Sequence, residues 1–440
     1  MPRVDYTSRP DNPPAVILGG SWNAVSVARS LGPRGVAVHA LADRPDRPVR
    51  FSRHCGGFVA VPRGEDVQAG WMHWLRERGP RGAVLLPCGD DGLELVACNR
   101  SELAALGYVP IEADDEVLLA MLDKDRQYEL ARELGVPAPE TITVRGPEDL
   151  ERAATTVTFP CALKALHSHV FSRHFYGKVV VAENASELRT AFARMQALEI
   201  EVLVTEIIPG AEDRFYGYYS YLDEAGEPLF HMTKQKIRQF PPGFGVGCYH
   251  VTNWDPEVAE LGLAFMQGIG MRGLGNVEFK RDARDGRLKL IELNHRFTAI
   301  NELVRRAGLD LALLTYNRLT GRPLPPLDSY RRGVRVWYPI EDTYSALTAH
   351  RRGELTLRGW LGSILHRQTF PLLSREDPMP SVASTAWLMS HQLSKRLGRH
   401  GGLAADPMGS TGPEVATPPA GGVAFEDPVA EHAREHPGSA

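Results

Sequence analysis

The feature that most constrains this chain is a predicted β-hairpin in which two carboxylates meet. Segments 276–280 and 290–296 flank a turn that ends at Gly286, and glycine is typical of the left-handed position that closes such a loop. With a three-residue loop of this kind, Glu278 lies directly opposite Glu292. Like charges in that arrangement destabilise a sheet. The pattern therefore predicts a cation between the two carboxylates.

The two faces of the predicted hairpin differ in polarity, because side chains alternate along a strand. One face is wholly apolar and carries Val277, Phe279, Ile291 and Leu293. The other carries Asn276, Glu278, Lys280, Glu292, Asn294 and Arg296. Magnesium prefers oxygen ligands such as carboxylates and amides, and it bridges them to substrate phosphates. The polar face therefore indicates a magnesium–nucleotide site.

The sequence allows two other interpretations of this hairpin. Its charges could be solvated on an exposed surface, with each carboxylate paired to a neighbouring basic residue. A two-residue turn at Asp285-Gly286 would instead put the two carboxylates on opposite faces. The rest of the chain bears on this choice.

The composition is that of an ordinary globular protein. The 440 residues, of which 43% are hydrophobic and 24% charged, suffice for about two or three domains. A net charge of −4 offers no general attraction to nucleic acid or to acidic membranes. No run approaches the ~18 apolar residues of a membrane span, and the polar N-terminus has no signal-peptide pattern. Five scattered cysteines fit a reducing compartment, so we expect a cytoplasmic protein without nucleic-acid or membrane partners.

Lysine is rare in this chain and unevenly distributed. Only eight of the 50 basic residues are lysines, and seven of the eight lie between positions 124 and 289. A lysine ammonium is a compact point charge suited to a single phosphate oxygen, whereas arginine is a planar fork. The clustering supports a phosphate-binding role for this part of the chain.

The first hundred residues predict alternating strands and helices. A buried strand at 15–20 is followed by a helix at 23–31 and a strand at 36–41, which together form a βαβ unit. A second unit includes the strand 83–87. Asp90 and Asp91 follow that strand, at the edge where open α/β sheets place ligands, although they could equally cap the next helix.

Further motifs follow in a fixed order along the chain. They are Asp123-Lys124, the Gly135–Pro139 connector, Lys164, the Glu206–Gly210 segment, and Glu278 with Glu292, Asn294 and Arg296. That order resembles the ATP-grasp superfamily over about residues 14–330, in which 206–210 would be a hinge. Within the superfamily, the chain is similar to predicted ATP-dependent carboligases, which also resemble D-aspartate ligase and carbamoyl-phosphate-synthase modules.

The resemblance implies a mixed α/β and α+β architecture. An N-terminal Rossmann-like pre-ATP-grasp domain would precede a two-lobed ATP-grasp domain and a small C-terminal region. The corresponding ranges are a leader at 1–13, the N-terminal domain at 14–118, the ATP-grasp domain at 119–330 with its small lobe at about 141–205, a C-terminal subdomain at 331–394 and a tail at 395–440. We expect the tail to be disordered, because it has few large apolar residues.

The resemblance also implies roles for individual residues. Magnesium would be held by Glu278, Glu292 and Asn294. The nucleotide would be bound by Lys124, Lys164, Lys178, Glu206, Ile207, Ile208 and Asp213, with Glu212 as a competitor of Asp213 for the ribose. Catalytic contacts to the transferred phosphoryl group would come from Arg296, Lys236 and Arg238. The loop 165–177 departs from the family pattern, because its only glycine is Gly177 where a glycine-rich flap is usual.

The resemblance finally implies an activity. The chain would be an enzyme that uses ATP and Mg²⁺, or Mn²⁺ in its place, to join a small-molecule carboxylate to an amine through an acyl phosphate. A homodimer is compatible with this prediction. Three alternatives stay open, namely a kinase using the same site, a bicarbonate-dependent carboxylase, and a non-catalytic nucleotide-binding protein.

Overall fold

The computed structural model describes residues 12–62, 64–165, 179–198 and 200–386. Three β-sheets form the framework of these residues, with helices packed against them. The helices within the described ranges are each too short or too polar to cross a membrane.

The first sheet is parallel and lies near the N-terminus. Its strands are β1 (Ala15–Leu18), β2 (Val38–Ala42), β3 (Gly57–Ala60) and β4 (Val84–Pro87), in the spatial order β3-β2-β1-β4. Helices α1 (Trp22–Leu31), α2 (Val67–Glu77) and α3 (Asp90–Ala105) connect or follow these strands. Residues of β1 and β4 are buried throughout, as expected for parallel strands covered on both faces. The N-cap of α3 is Gly89, so the alternative that an aspartate caps this helix is wrong.

A short helical segment leads to the second sheet, which is antiparallel. Helices α4 (Asp115–Leu122) and α5 (Lys124–Glu133) come first. Strands β5 (Thr141–Val144), β6 (Cys161–Ala165), β7 (Val180–Ala182) and β8 (Val202–Glu206) pair in the order β5-β8-β6-β7. Helices α6 (Pro147–Thr156) and α7 (Ala185–Gln196) pack on this sheet. The sheet has its own apolar core, so it forms a compact lobe.

The third and largest sheet has seven strands. They are β9 (Phe215–Leu222), β10 (Met232–Phe240), β11 (Val246–Asn253), β12 (Gly273–Arg281), β13 (Leu288–Asn294), β14 (Arg335–Trp337) and β15 (Gln368–Thr369). Their order is β13-β12-β9-β10-β11-β14-β15. Helices α8 (Pro256–Gly268), α9 (Asn301–Ala307), α10 (Leu311–Thr320), α11 (Pro339–Arg351) and α12 (Leu357–Ile364) complete the fold. The C-terminal region thus contributes two strands, β14 and β15, to this seven-stranded sheet, the central sheet of the fold.

The β12–β13 hairpin differs in detail from the prediction. Its loop is longer, because Asp282 N donates to Arg287 O and Gly286 N donates to Asp282 O. That length alone would shift the register by one residue. A β-bulge on β13 compensates, since Phe279 pairs with Leu290 whereas Glu278 pairs with Glu292. The predicted pairing of the two glutamates is therefore present, although the predicted three-residue loop is wrong.

The segment after β15 returns to the N-terminal sheet and is fixed there by a buried carboxylate. Asp377 is 1% exposed and accepts hydrogen bonds from Arg29 Nε at 2.9 Å, Ser52 Oγ at 2.8 Å and Arg53 N at 2.9 Å. Arg29 also donates to the carbonyl of Pro371. The chain segment is thereby joined to α1 and to the loop before β3.

We expect Asp377→Asn to lower the melting temperature at neutral pH, because the Arg29 charge loses its buried partner at a cost of about 3 kcal/mol. Burial raises the pKa of Asp377, but these three hydrogen bonds bring it below its ordinary value of 3.8. The stabilisation is therefore complete above pH 3.8 and is lost as the pH falls through the lower folded-state pKa. Thermal melts at pH 7 and pH 3 should show a large difference between the proteins at pH 7 that shrinks at pH 3. Equal melting temperatures at pH 7 would contradict the prediction.

Candidate active site

Three rows of side chains run across the polar face of the central sheet, each row crossing β10, β9, β12 and β13 in register. The first row is Lys236, Phe215, Lys280 and Lys289. The second row is Lys234, Gly217, Glu278 and Glu292. The third row is Met232, Tyr219, Asn276 and Asn294. Paired residues share a face of a sheet, so lysines, carboxylates and amides lie in adjacent bands.

Glu278 is the most constrained carboxylate of these rows. It is 8% exposed, its Oε1 accepts from Lys234 Nζ at 3.0 Å, and its Oε2 accepts from Lys236 Nζ at 2.8 Å. Burial raises the pKa of Glu278, but the ammonium groups of Lys236 and Lys234 together lower it by more than burial raises it. The pKa of Glu278 therefore lies well below the ordinary range. Glu278 is therefore ionised, and both oxygens are held in place.

Glu292, on the next strand, is half-buried and more accessible. Asn294 Nδ2 donates to its Oε1 at 2.9 Å, and Lys124 Nζ lies 3.9 Å from its Oε2. Burial raises the pKa of Glu292, but the positive charge of Lys124, the hydrogen bond from Asn294 and the positive charge of Arg296 together bring it below its ordinary value. Lys124, at the start of α5, therefore lies beside Glu292. Its role in phosphate binding stays a prediction.

The donor set fits a hard divalent cation. Within the described ranges, Asn276 Oδ1 is buried and accepts no hydrogen bond, so an amide oxygen beside Glu278 lacks a partner. The same residues contain no group of three or more His, Cys, Asp or Glu side chains that could hold a metal by themselves. Two carboxylates with amide oxygens suit magnesium, which completes its coordination with water and phosphate oxygens. The residues present therefore fit Mg²⁺ bound together with a nucleotide.

Arg296 connects these rows to the N-terminal sheet. Its Nε donates to Asp90 Oδ1 at 2.5 Å, where Asp90 begins α3 at the carboxyl edge of that sheet. The amide of Asn23 donates both to Cys88 O at 2.6 Å and to Phe297 O at 2.7 Å, which joins the two sheets at this point. The predicted catalytic arginine thus lies where the N-terminal sheet meets the central sheet.

Arg238 does not lie with the carboxylates. It is 7% exposed, and its guanidinium makes two hydrogen bonds to Asp342, Nε to Oδ1 at 2.6 Å and an Nη to Oδ2 at 3.1 Å. Its other Nη donates to Ser363 Oγ at 2.9 Å. A register irregularity in β10 separates it from Lys236. The structure therefore brings Lys236 to Glu278 and directs Arg238 to the C-terminal helices.

The hinge after β8 brings three of the seven predicted nucleotide residues, Glu206, Ile207 and Ile208, near the first row. Glu206 is 6% exposed and accepts from Lys289 Nζ at 3.1 Å, from Arg284, and from Glu140 N at 3.2 Å. The carbonyl of Ile208 accepts from Lys280 Nζ at 2.8 Å, and burial lowers the pKa of Lys280 to about 8. Ile207 is half-buried beside them. This end of the sheet is therefore lined by lysines.

The two candidates for ribose binding have different environments. Glu212 accepts hydrogen bonds from Gln239 N at 3.1 Å and Gly243 N at 2.9 Å, so its carboxylate is directed to the end of β10. Asp213 is exposed, and only its backbone carbonyl is fixed, by Gln235 Nε2 at 2.7 Å. This difference favours Asp213 for an external ligand.

One predicted phosphate ligand lies on the second sheet. Lys164 is half-buried on β6, where it pairs with Leu203 of β8. Lys178 and the predicted flap from residue 166 to 177 lie outside the described residues. Their contributions stay predictions.

No family model matches the chain. It is 26% identical over 328 residues to D-aspartate ligase of Enterococcus faecium, covering 70% of this chain and 77% of that protein. It is 23% identical to D-alanine–D-alanine ligase of Chromohalobacter salexigens, covering 57% of this chain and 80% of that protein. Among solved structures, it resembles the biotin carboxylase domain of Hydrogenobacter thermophilus 2-oxoglutarate carboxylase with MgADP and bicarbonate, at a TM-score of 0.56 and 17% identity over 73% of each chain. The chain has the ATP-grasp fold.

A second ATP-grasp neighbour is L-amino acid ligase from Bacillus licheniformis, with a TM-score of 0.54 and 14% identity over 71% of this chain and 75% of that chain. The resemblance inferred from the motifs is thereby confirmed.

Several contacts of the candidate site were not predicted from the sequence. Lys234 contacts Glu278, Lys280 and Lys289 contact the hinge, and Asp90 contacts Arg296. The scarcity of lysine elsewhere is the signal that could have identified the three lysines. Asp90 had a signal of its own, in its position at the carboxyl edge of the first sheet.

Proposed function

We propose that this chain is a magnesium-dependent ATP-grasp ligase that joins a carboxylate to an amine. The observation that carries the proposal is the pair Glu278 and Glu292, which face one another on adjacent strands with lysines and Arg296 around them. The names of the relatives, D-aspartate ligase and D-alanine–D-alanine ligase, support ligation of a carboxylate and an amine.

In this proposal the polar face of the central sheet binds the phosphates. Glu278, Glu292 and Asn294 hold Mg²⁺, which when bound neutralises charge on the nucleotide phosphates. Four lysines of the protein bind phosphate oxygens directly, namely Lys124, Lys164, Lys178 and Lys236. Glu206, Ile207 and Ile208 bind the base at the hinge, and Asp213 binds the ribose. The second sheet closes over the nucleotide and excludes water from the reaction.

The chemistry proceeds in two displacements. An oxygen of the substrate carboxylate attacks the γ-phosphorus, the bond from phosphorus to the bridging oxygen breaks, and ADP leaves. The amine nitrogen then attacks the acyl carbon, the carbon–oxygen bond to phosphate breaks, and the nitrogen loses a proton. Arg296 stabilises the negative charge of the acyl phosphate, and its ion pair with Asp90 fixes it at the first sheet. The protein contributes mainly position and charge.

We assign the parallel sheet, within residues 14–118, as the Rossmann-like pre-ATP-grasp domain that contributes to the acceptor site. Support comes from Asp90, which lies at the carboxyl edge of this sheet and touches Arg296. The range 119–330 is assigned as the ATP-grasp domain. Its lobe at about 141–205 contains the second sheet.

A screen of carboxylates and amines with Mg-ATP tests the proposal. We expect ADP and free phosphate in equal amounts only when both correct substrates are present, with a product mass equal to their sum less one water. ADP with a stable phosphorylated product and no free phosphate would contradict ligation and indicate a kinase. Turnover stimulated by bicarbonate alone would indicate a carboxylase. Mg-ATP binding without turnover across the panel would indicate a non-catalytic protein.

A further inference from the structure

Lys234 reaches Glu278 by crossing an intervening strand. Lys234 on β10, Gly217 on β9 and Glu278 on β12 form one row, so the lysine side chain must pass over position 217. A Cβ at Gly217 would lie 2.4 Å from Lys234 Cε, so any side chain at this position would displace the end of the lysine. Glycine therefore opens a path across β9, and the lysine that uses it is only 2% exposed.

The chain itself places more positive than negative charge around the two carboxylates. Three ammonium groups, those of Lys234, Lys236 and Lys124, contact two carboxylates, those of Glu278 and Glu292, so the group carries a net charge of +1. The nearby pair of Arg296 and Asp90 adds nothing to this sum. A divalent cation entering alone would meet this positive charge at a few ångströms, where repulsion in a partly buried site is strong. A bound polyphosphate would make the net charge of this group negative, which favours binding of the cation.

Lys234 is better placed than Lys236 to repel a divalent cation that enters the site without a polyphosphate. The ammonium of Lys236 also lies 4.2 Å from the centroid of the Phe215 ring, and in the proposed function it binds the transferred phosphate. Lys234 is almost fully enclosed, and its ammonium is held on Glu278 Oε1 at 3.0 Å. It is therefore suited to act through Glu278 and not by contact with substrate.

We propose that Lys234 is a positioning residue that makes metal binding depend on the nucleotide. With its ammonium on Glu278, the site rejects a free divalent cation and accepts one only with a polyphosphate. The inference rests on the proposed function, because it takes Glu278 and Glu292 as the metal ligands. It adds that metal and nucleotide bind with strong positive coupling, and that the coupling originates in a buried lysine.

The coupling can be measured without any turnover. Free Mn²⁺ is followed by electron paramagnetic resonance while the protein is titrated, with and without ADP. We expect the wild-type chain to bind Mn²⁺ at least about tenfold more tightly with ADP than without it. Lys234→Met should bind Mn²⁺ alone at least about tenfold more tightly than the wild type, because one positive charge beside Glu278 is gone. The increase in Mn²⁺ affinity on adding ADP should therefore be smaller in the variant than in the wild type.

Two further variants separate charge from structure. Arg281→Met removes a positive charge from the end of β12, where its guanidinium contacts Asp255 and Glu257, so the coupling should stay close to that of the wild type. Gly217→Ala keeps every charge but displaces the end of Lys234, so the coupling should be intermediate. Thermal melts show which variants are folded, and Gly217→Ala tests the inference if Lys234→Met does not fold.

The outcomes distinguish failure of the inference from failure of the proposed function. If Lys234→Met binds Mn²⁺ alone no more tightly than the wild type and still binds Mn²⁺ with ADP, Lys234 has only a structural role and the inference is wrong. Equal Mn²⁺ affinity of the wild type with and without ADP would overturn it as well. Absence of Mn²⁺ binding even with ADP would overturn the proposed metal site, and the inference with it.

Discussion

Replacement of Glu292 by glutamine should reduce Mg²⁺-dependent ADP formation by about a thousandfold or more while the protein stays folded. Glutamine keeps the size of the side chain but removes the charge that would hold the cation. The structure indicates that the fold tolerates this loss. The basic neighbour of Glu292 is Lys124, which is 3.9 Å away and 41% exposed, so water can solvate it when the carboxylate is gone.

A substitution at Glu278 would not separate loss of activity from loss of stability so clearly. Its loss would leave two ammonium groups, those of Lys234 and Lys236, buried without the carboxylate that both contact. Removing one partner of a buried ion pair is strongly destabilising. A variant at Glu278 would therefore lose activity and stability together, whereas Glu292→Gln separates the two.

The measurement is a coupled ADP assay with a magnesium titration, run beside thermal melts. Glu257→Gln is a matched control, because it also removes a carboxylate paired with a basic residue, Arg281, but lies on α8 with half of its side chain exposed. We expect the control to keep full activity. A rate near that of the wild type for Glu292→Gln would remove Glu292 from the metal site.

The opposed glutamates could be predicted from the sequence, but the geometry that aligns them could not. Alternation of polar and apolar residues sets the faces of the two strands, and Gly286 marks the turn with a φ of +75°. The bulge that restores the register depends on distant residues. Leu290 N donates to Pro137 O at 2.7 Å, and Tyr128 Oη donates to Ile291 O at 2.9 Å. These partners precede the hairpin by about 150 residues, so a local pattern cannot reveal them.

The same limit applies to the lysines and to Arg238. The sequence shows that lysine is concentrated between positions 124 and 289, but it does not show which carboxylate each lysine contacts. Gly217 has meaning only when β9 lies between β10 and β12. The resemblance implied a shared role for Lys236 and Arg238. The partner of Arg238, Asp342, is 104 residues away in the sequence, so a local pattern cannot reveal the pair.

Asp342→Asn should destabilise the protein by about 3–5 kcal/mol, because it leaves the buried guanidinium of Arg238 without a counter-charge. Asp342 is fully buried. It accepts two hydrogen bonds from Arg238 and one from each of two indoles, Trp337 Nε1 at 2.8 Å and Trp360 Nε1 at 2.9 Å. One carboxylate therefore joins β10 to β14, α11 and α12. Urea denaturation measures the loss.

A double variant tests whether the effect comes from the ion pair. Arg238→Met combined with Asp342→Asn leaves no unpaired buried charge, so it should be less destabilising than the sum of the single changes. Additive losses would mean that the two residues act independently. The cycle also decides what Arg238 does. If Arg238 contacts the phosphoryl group, as the sequence predicts, Arg238→Met should lose activity well beyond Asp342→Asn at a temperature where both are folded. If its function is to hold the C-terminal helices on β10, as the contacts indicate, the two variants should lose stability and keep comparable activity.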